Sequence, residues 1–246
     1  MTQYMYPRLA IPTYRRSDIV AKKTLAFLER TGYPAGLIYL FVADEQEKEI
    51  YLNTVPFYLY GHIVVGVPGL VNQRNFITDF FDDEEIIVCM DDDIESIDCI
   101  NNHFLGLVEY AVKLIDIRTG GLFGIRPNND GRLYTFTTTS HLAFIIGSFN
   151  IRRNHHTIRL TQTQKHDYEM SILYFLHYGK IFRYNGAGVK TKYMKNAGGL
   201  TEERRVQNMQ ECVDALCERY PGMCVSKPKK APDLLLNWRF KKPAHK

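Results

Sequence analysis

Three consecutive aspartates, Asp91, Asp92 and Asp93, are the residues of this sequence best suited to chemistry; we call them the aspartate triplet. They follow directly on an apolar run, residues 86–90, which predicts a short buried strand. Open α/β sheets bind their ligands beyond the carboxyl ends of such strands. Adjacent carboxylates repel one another and stay ionised most easily beside a cation, and their hard oxygen atoms suit Mg²⁺ or Mn²⁺. Because Mg²⁺ completes its shell with substrate phosphates, the stretch predicts a metal-bridged diphosphate; a solvated acidic turn is the alternative.

Strand and helix alternate in the ninety or so residues before the triplet. The sequence predicts strands within residues 9–16, 37–43, 63–67 and 86–90. It predicts helices within residues 17–31, 45–53 and 70–80, and the first begins at a capping Ser17 and ends at Gly32. Such alternation is typical of a parallel sheet with helical crossovers. We therefore expect a nucleotide-binding half.

The second half has a different pattern. Apolar spacing predicts helices at residues 104–119, 166–178 and 202–220, the last capped by Thr201. Aromatic and β-branched runs predict strands at 122–125, 133–139, 143–149 and 180–184, with a turn at 128–131 that would close a hairpin. The glycine-rich residues 186–199 predict a mobile loop over the substrate. The fold class expected is α/β, with a mixed, mostly parallel central sheet flanked by helices in a single domain.

Composition sets the remaining bounds. The 246 residues carry a net charge of +4, of which residues 227–246 contribute +6 from seven basic residues and Asp233, leaving −2 for the rest. Such a basic end suits a polyanion, and a solvated tail is the equal alternative. Five cysteines without CxxC spacing indicate neither a disulfide framework nor a zinc site. No run is long enough to span a bilayer and no signal peptide is apparent, so we expect a cytoplasmic protein with no membrane partner.

Several motifs, taken in order, resemble the GT-A fold glycosyltransferases that use nucleotide-diphosphate sugars. The resemblance rests on residues 11–16, residues 42–44, Gly69 with Arg74 and Asn75, and residues 91–94. More narrowly, the triplet followed by residues 165–169 and 196–200 resembles the TET/JBP-associated, phage-type glycosyltransferases that modify DNA bases. The resemblance implies metal-dependent transfer from a nucleotide-diphosphate sugar, with UDP-sugar expected first, to a hydroxymethylpyrimidine such as hydroxymethylcytosine in DNA. For a phage source the location would be the host cytoplasm.

The resemblance also divides the chain and assigns roles in the donor half. A GT-A domain would span residues 1–225, with a nucleotide-sugar-binding half at 1–93, an acceptor half at 94–225, and a basic extension at 226–246. Asp91 and Asp93 would hold the metal, and Asp92 would turn toward the donor sugar as a catalytic residue. Residues expected to bind the nucleotide sugar are Thr13, Arg15, Asp44, Arg74, Asn75, Lys195, Gly198 and Gly199. Asp44 could instead cap the helix that follows it, and Arg74 could be a surface partner of Asp79 or Asp82.

In the acceptor half, similar enzymes place a carboxylate near the start of a helix to take the acceptor proton. Asp167 is the first candidate for this base, Glu169 the second and His166 the third. A carboxylate there also stabilises a helix through its dipole. Four cations are expected to contact DNA phosphates: Arg152, Arg153, Arg159 and Lys165.

Two other functions stay open at this point. The same donor half could serve a glycan or a lipid-linked acceptor, and the chain could be a nucleic-acid-binding module that keeps the fold without catalysis. The sequence leaves open the sugar, the base, the stereochemistry and the oligomeric state.

Overall fold

A computed structural model of the chain describes residues 6–100, 103–191, 202–227 and 232–242. The strands are β1 (Arg8–Pro12), β2 (Ile38–Val42), β3 (His62–Val65), β4 (Ile86–Met90), β5 (Ile94–Cys99), β6 (Leu122–Arg126), β7 (Thr138–Thr139), β8 (Phe149–Arg153), β9 (Phe182–Thr191), β10 (Cys224–Lys227) and β11 (Asp233–Leu236). The helices are α1 (Ser17–Val20), α2 (Ala26–Thr31), α3 (Glu45–Thr54), α4 (Leu70–Phe80), α5 (Phe104–Arg118), α6 (His166–Tyr178) and α7 (Glu202–Arg219). A π-helical turn, Ala21–Leu25, joins α1 to α2.

A nine-stranded sheet in the order β3-β2-β1-β4-β8-β6-β9-β5, with β7 beside β9, forms the centre of the described chain. All pairs among β1 to β4 are parallel. In the second half β8, β5 and β7 run antiparallel to their neighbours, whereas β6 and β9 are parallel to each other. Six of these nine strands therefore share one direction. This confirms the mixed, mostly parallel α/β sheet of a single domain.

Burial explains why the donor half forms a parallel sheet. The strands β1, β2 and β4 lie side by side and are buried almost throughout, which is the pattern of apolar runs covered by helices on both faces. The largest core cluster packs α2 and α5 on one face, and a smaller one places Ile77 of α4 against Phe41 and Ile87 on the other. The carboxyl ends of β1, β2 and β4 consequently open onto one edge, where the aspartate triplet begins.

Several predictions for the second half were wrong. Residues 133–139 form a 3-10 turn (Gly131–Leu133) and the two-residue β7, and residues 143–148 are not a strand, since β8 begins only at Phe149. The predicted hairpin at residues 128–131 is absent, because β6 pairs with β8 and β9. The first residues of the predicted glycine-rich loop, 186–191, belong to β9, and the strand β5 was not anticipated.

The end of the chain folds back onto the body. The hairpin of β10 and β11 crosses the predicted boundary at residue 226. Leu234 and Leu236 are buried in the same cluster as Phe175 of α6 and Leu216 of α7. Asp233 of β11 accepts hydrogen bonds from Lys165 and the Tyr168 hydroxyl, which hold the hairpin next to the start of α6. Within the described ranges, no helix combines the length and the apolar character needed to cross a membrane.

Candidate active site

Asp91 lies at the carboxyl end of β4 and faces the start of α6. Its Oδ1 accepts a hydrogen bond of 2.9 Å from the Arg74 Nη2, and its backbone N–H donates to the Ser148 carbonyl at 2.9 Å. Burial raises the pKa of Asp91; Arg74 opposes this rise, whereas the nearby carboxylates of Asp167 and Asp93 add to it. Three carboxyl groups therefore lie near the end of β4.

Asp92, which is predicted to turn toward the donor sugar, is buried against the loop after β1. Its side chain points inward: Oδ2 accepts from the Thr13 hydroxyl at 2.9 Å, and Oδ1 forms an ion pair with Arg16 at 3.1 Å. Burial raises the pKa of this carboxyl to about 6, although Arg16 and Thr13 favour its ionised form. Asp92 thus joins the end of β4 to the loop after β1.

Asp93 lies beside the end of β9. Its Oδ1 accepts a hydrogen bond of 3.0 Å from the Thr191 hydroxyl. The last residue of β9 therefore lies next to the triplet. Three residues predicted to bind the donor, Lys195, Gly198 and Gly199, follow β9 in the sequence and lie outside the described residues.

A threonine that sequence reasoning missed fixes the shape of the triplet. Thr24 is fully buried in the π-helical turn, where its hydroxyl donates to the Asp91 carbonyl at 2.8 Å and accepts from the Ile94 N–H at 2.9 Å. One side chain thereby closes both ends of the turn that carries the three aspartates. Its only sequence signal is a polar residue on the apolar face of a predicted helix.

The ends of β1 and β2 are linked by a second missed residue, Glu47. Its buried carboxylate accepts from the Arg15 N–H at 2.5 Å and from the Ala43 N–H at 3.1 Å. The motif Asp44-x-x-Glu47 was a readable signal, since it is typical of a capped helix start. Asp44 indeed caps α3, because its Oδ1 accepts from the Glu47 N–H at 2.8 Å.

The other residues predicted to bind the nucleotide lie at different depths. Thr13 is buried, and its hydroxyl lies 2.7 Å from the Tyr51 hydroxyl. Arg15 is exposed in the loop after β1, and its guanidinium lies over the Tyr14 ring. Because Arg15 is exposed, it can contact a ligand. The buried Thr13 side chain instead stabilises the loop after β1 from the protein interior.

Arg74 and Asn75 both bond to other segments of the chain, and their contact with the nucleotide stays a prediction. Arg74 is 5% exposed; besides Asp91, it donates from Nη1 to the Gly147 carbonyl at 3.0 Å. Asn75 forms paired hydrogen bonds with the backbone of Leu160, at 2.9 and 3.0 Å. Arg74 thereby joins α4 to the end of β4 and to the loop before β8, and it lines a small cavity beside Asp91. Asn75 joins α4 to the loop before α6.

Asp167 and His166 start α6 opposite the triplet. The His166 Nε2 lies 2.9 Å from the Asp167 Oδ1, and Gly147 lies so close that an added Cβ would be 2.8 Å from that oxygen. Burial opposes ionisation of Asp167, but His166, Arg74 and the Gly147 N–H outweigh it and lower the pKa to about 2. The carboxylate is therefore ionised at physiological pH.

Glu169, the second candidate for the base, is placed for a different task. Its carboxylate is fully buried and accepts from the Thr161 N–H at 2.7 Å, the Thr161 hydroxyl at 2.6 Å and the Gln162 N–H at 2.9 Å. These bonds tie the preceding loop to α6. A base must reach the acceptor hydroxyl, and a carboxylate enclosed in this way does not, so this prediction is corrected.

The four cations predicted to contact DNA phosphates all have partners within the protein. Arg152 is 4% exposed and donates to the Thr78 hydroxyl at 3.1 Å. The ion pairs of the others join Arg153 to Asp116 at 2.6 Å, Arg159 to Asp79, and Lys165 to Asp233 at 3.0 Å. Burial excludes Arg152 as a phosphate contact, and the other three would first have to leave a carboxylate. The prediction is therefore wrong for Arg152, and for Arg153, Arg159 and Lys165 it stays a prediction.

The triplet offers oxygen ligands that fit Mg²⁺ or Mn²⁺. Asp91 and Asp93 supply carboxylates, and the mutual repulsion of Asp91, Asp93 and Asp167 is the kind that a bound divalent cation relieves. The cluster also lies at the carboxyl end of a parallel strand, where open sheets bind ligands. Both the ligand atoms and the position of the triplet therefore fit a divalent-cation site.

The sheet order and this strand-end carboxylate cluster define the GT-A class of nucleotide-sugar glycosyltransferase folds. A mannosyltransferase from Pyrobaculum calidifontis, solved with GDP-Man and Mn²⁺, has a similar fold: TM-score 0.56 and 14% identity over 92% of this chain and 66% of that one. Glucosyl-3-phosphoglycerate synthase from Mycobacterium tuberculosis, solved with Mn²⁺, UDP and glucosyl-3-phosphoglycerate, gives a TM-score of 0.51 and 13% identity over 96% and 88% of the two chains. The chain spans about two thirds of the mannosyltransferase. No protein-family model and no curated protein matches the sequence.

These similarities confirm the predicted GT-A fold. At such identities they show the fold alone, and the narrower resemblance to the TET/JBP-associated enzymes stays a prediction.

Proposed function

We propose that the protein is a metal-dependent glycosyltransferase that moves a sugar from a nucleotide-diphosphate sugar, in the first instance a UDP-sugar, to a hydroxymethylpyrimidine in DNA. The observation that carries the proposal is the position of Asp91, Asp93 and Asp167 where β4 ends and α6 begins: Arg74 bonds to both Asp91 and Gly147, and Gly147 packs against Asp167. One pair of carboxylates lies on the donor half and one carboxylate on the acceptor half. A donor and an acceptor bound on either side would therefore meet between them.

The donor half would bind the nucleotide diphosphate. Asp91 and Asp93 would hold Mn²⁺ or Mg²⁺, which when bound stabilises the charge of the departing diphosphate. Arg74 keeps Asp91 in place through the 2.9 Å ion pair, and Thr24 fixes the backbone around it. The two neighbours solved with Mn²⁺ and nucleotides support this assignment.

The acceptor half would remove a proton. Asp167 is ionised and held by the Gly147 N–H, so it can accept a hydrogen bond from the acceptor hydroxyl and orient it. A carboxylate with a pKa of about 2 is a weak base by itself. Asp167 would therefore take the proton only as the acceptor oxygen bonds to the sugar carbon and the diphosphate departs, and the His166 imidazole, whose Nε2 lies 2.9 Å from the Asp167 Oδ1, would hold the carboxylate in position.

The acceptor is the part of the proposal that rests on the narrower resemblance, and the basic residues 227–246 are consistent with it.

The test of the proposed function is to incubate DNA that contains hydroxymethylcytosine or hydroxymethyluracil with the protein, Mn²⁺ and a panel of nucleotide sugars. Mass spectrometry of the digested nucleosides should show a gain of one sugar. The Asp91→Asn/Asp93→Asn double variant should lose this gain, whereas Glu45→Gln, an exposed carboxylate on α3, should keep it.

Two results would point elsewhere. Release of the nucleotide from a sugar donor without any modified nucleoside would favour a glycan or lipid-linked acceptor. DNA binding without donor turnover, abolished in the double variant, would favour a non-catalytic nucleic-acid-binding module.

A further inference from the structure

A groove of about 570 Å³ runs beside the start of α6. It is lined by two segments that also build the candidate active site. Residues 141–144 enter the groove and Gly147 of the same loop packs against Asp167, while Tyr168 lines the groove directly after Asp167 in α6. The third wall is β11 with Trp238, which follows it. A ligand in the groove would therefore lie beside the loop and the helix that carry the proposed catalytic carboxylate.

Planar side chains are distributed along this groove. Trp238 is 57% exposed, and its ring lies 5.7 Å from that of His141. Phe144 and Tyr168 pack with ring centroids 4.4 Å apart. An exposed tryptophan at the mouth and a second aromatic pair near α6 provide surfaces on which flat rings can stack.

The charged groups of the groove favour an anionic ligand. Arg183 and Lys227 both line it, and among the described residues neither forms an ion pair with a carboxylate. Arg183 is half-buried beside Arg126, and burial together with that second cation lowers the pKa of Arg183. Two adjacent arginines on neighbouring strands are stabilised when an anion binds between or beside them.

The balance of donors and acceptors narrows the ligand class. Arg183 and Lys227 can only donate hydrogen bonds, and the carboxylate of the groove, Asp233, already accepts from Lys165 and from the Tyr168 hydroxyl. A neutral glycan presents hydroxyls that need acceptors as well as donors. A polynucleotide presents phosphate oxygens, which only accept, and bases with flat faces.

We propose that this groove binds the unpaired polynucleotide segment around the acceptor base, with bases against Trp238 and the Phe144–Tyr168 pair and phosphates on Arg183 and Lys227. The inference rests on the proposed function and adds a second set of DNA contacts to it. Tyr168 of the groove directly follows Asp167 in α6, so a strand bound there would pass beside the helix start that carries the proposed base. Stacking and unpaired cations together are the features that single-stranded nucleic-acid sites combine.

The sole tryptophan of the chain makes the groove directly observable. Titration of the full-length protein with a single-stranded 12-mer of deoxythymidine should quench the Trp238 fluorescence, and added salt should reverse the quenching. Binding of the labelled 12-mer, followed by anisotropy, should weaken roughly tenfold in Trp238→Leu. Lys227→Gln should reduce the slope of log K against log salt by about 0.7, the effect of one lost phosphate contact.

Two matched controls lie away from the groove. Phe57 is an exposed aromatic just before β3, on the opposite edge of the sheet, and Lys22 is an exposed lysine of the π-helical turn. Phe57→Ala and Lys22→Gln should bind the 12-mer like the wild type. Arg183→Gln is a second test of the anion site, read together with its thermal unfolding because Arg183 is half-buried.

The outcomes separate this inference from the proposed function. Donor hydrolysis by wild-type protein that neither binds the 12-mer nor shows quenching would refute the groove while leaving the glycosyltransferase in place. Quenching by a neutral maltohexaose instead of the 12-mer would also overturn it, in favour of a glycan. Binding that is lost in Trp238→Leu, in a protein without donor turnover, would establish the groove and remove the transferase.

Discussion

Thr24 gives the sharpest test of how the aspartate triplet is held. Its buried hydroxyl bonds to the Asp91 carbonyl and the Ile94 N–H, at 2.8 and 2.9 Å. Thr24→Val keeps the shape of the side chain and leaves both backbone groups without this partner. At about 1–3 kcal/mol for each unsatisfied buried group, the free energy of unfolding should fall by about 2–6 kcal/mol. Thr24→Ser keeps the hydroxyl and loses one methyl, which should cost about 1 kcal/mol.

The activity of the same variants reports on the proposed metal site. A loosened turn holds Asp91 and Asp93 less well, so the Mn²⁺ concentration for half-maximal donor hydrolysis should rise about tenfold or more in Thr24→Val. In Thr24→Ser it should stay near the wild-type value. Urea unfolding gives the stability and a Mn²⁺ titration the activation constant. Equal values for the valine and serine variants in both measurements would refute the role of the hydroxyl.

Three further substitutions probe the surroundings of the site. Gly147→Ala should lower transfer at least tenfold, because the new Cβ would lie 2.8 Å from the Asp167 Oδ1. Glu47→Gln should reduce the free energy of unfolding by about 1–3 kcal/mol, since a carboxamide accepts from only one of the two N–H groups bound now. Asp233→Asn should remove stability at neutral pH: the folded-state pKa of Asp233 is lowered, so its contribution is present above the unfolded pKa of about 3.9 and is lost as the pH falls through the folded value.

Each of these has a control and a contradicting result. Gly131→Ala meets no atom within 4 Å of the new Cβ and should transfer normally; equal loss in both glycine variants would count against crowding at Asp167. Glu45→Gln, at an exposed position in the same helix turn, should leave urea unfolding unchanged, and a similar loss there would argue against the backbone bonds of Glu47. For Asp233, a stability difference that persisted at pH 2 would show that the carboxylate charge is not its source.

Local pattern determined much of what could be predicted. The apolar run that ends in the triplet became β4 followed by the strand-end carboxylates, and the helical spacing of residues 166–178 gave α6 with the same bounds. Val213 and Leu216, two apolar residues of the predicted helix 202–220, are fully buried. These results follow from hydrophobic periodicity, which depends on neighbours within a few turns or strand residues. Short irregular strands such as β7 leave no such pattern, and the predictions there were wrong.

The tertiary structure decided which charged side chains are buried and which segments they bond to. The sequence identifies Arg74 as a cation and Glu169 as a carboxylate, but their burial depends on segments far along the chain. Arg74 bonds to Gly147, 73 residues away, and Thr24 to Asp91, 67 residues away. The physical reason is that a side chain's type fixes its charge and its hydrogen-bonding capacity, whereas packing fixes its partner. The sequence by itself therefore determined that the triplet offers carboxylate groups. Only the fold decided that Arg74, Asp92 and Glu169 are buried and bond to other segments, whereas Asp167 lies beside Gly147 at the start of α6.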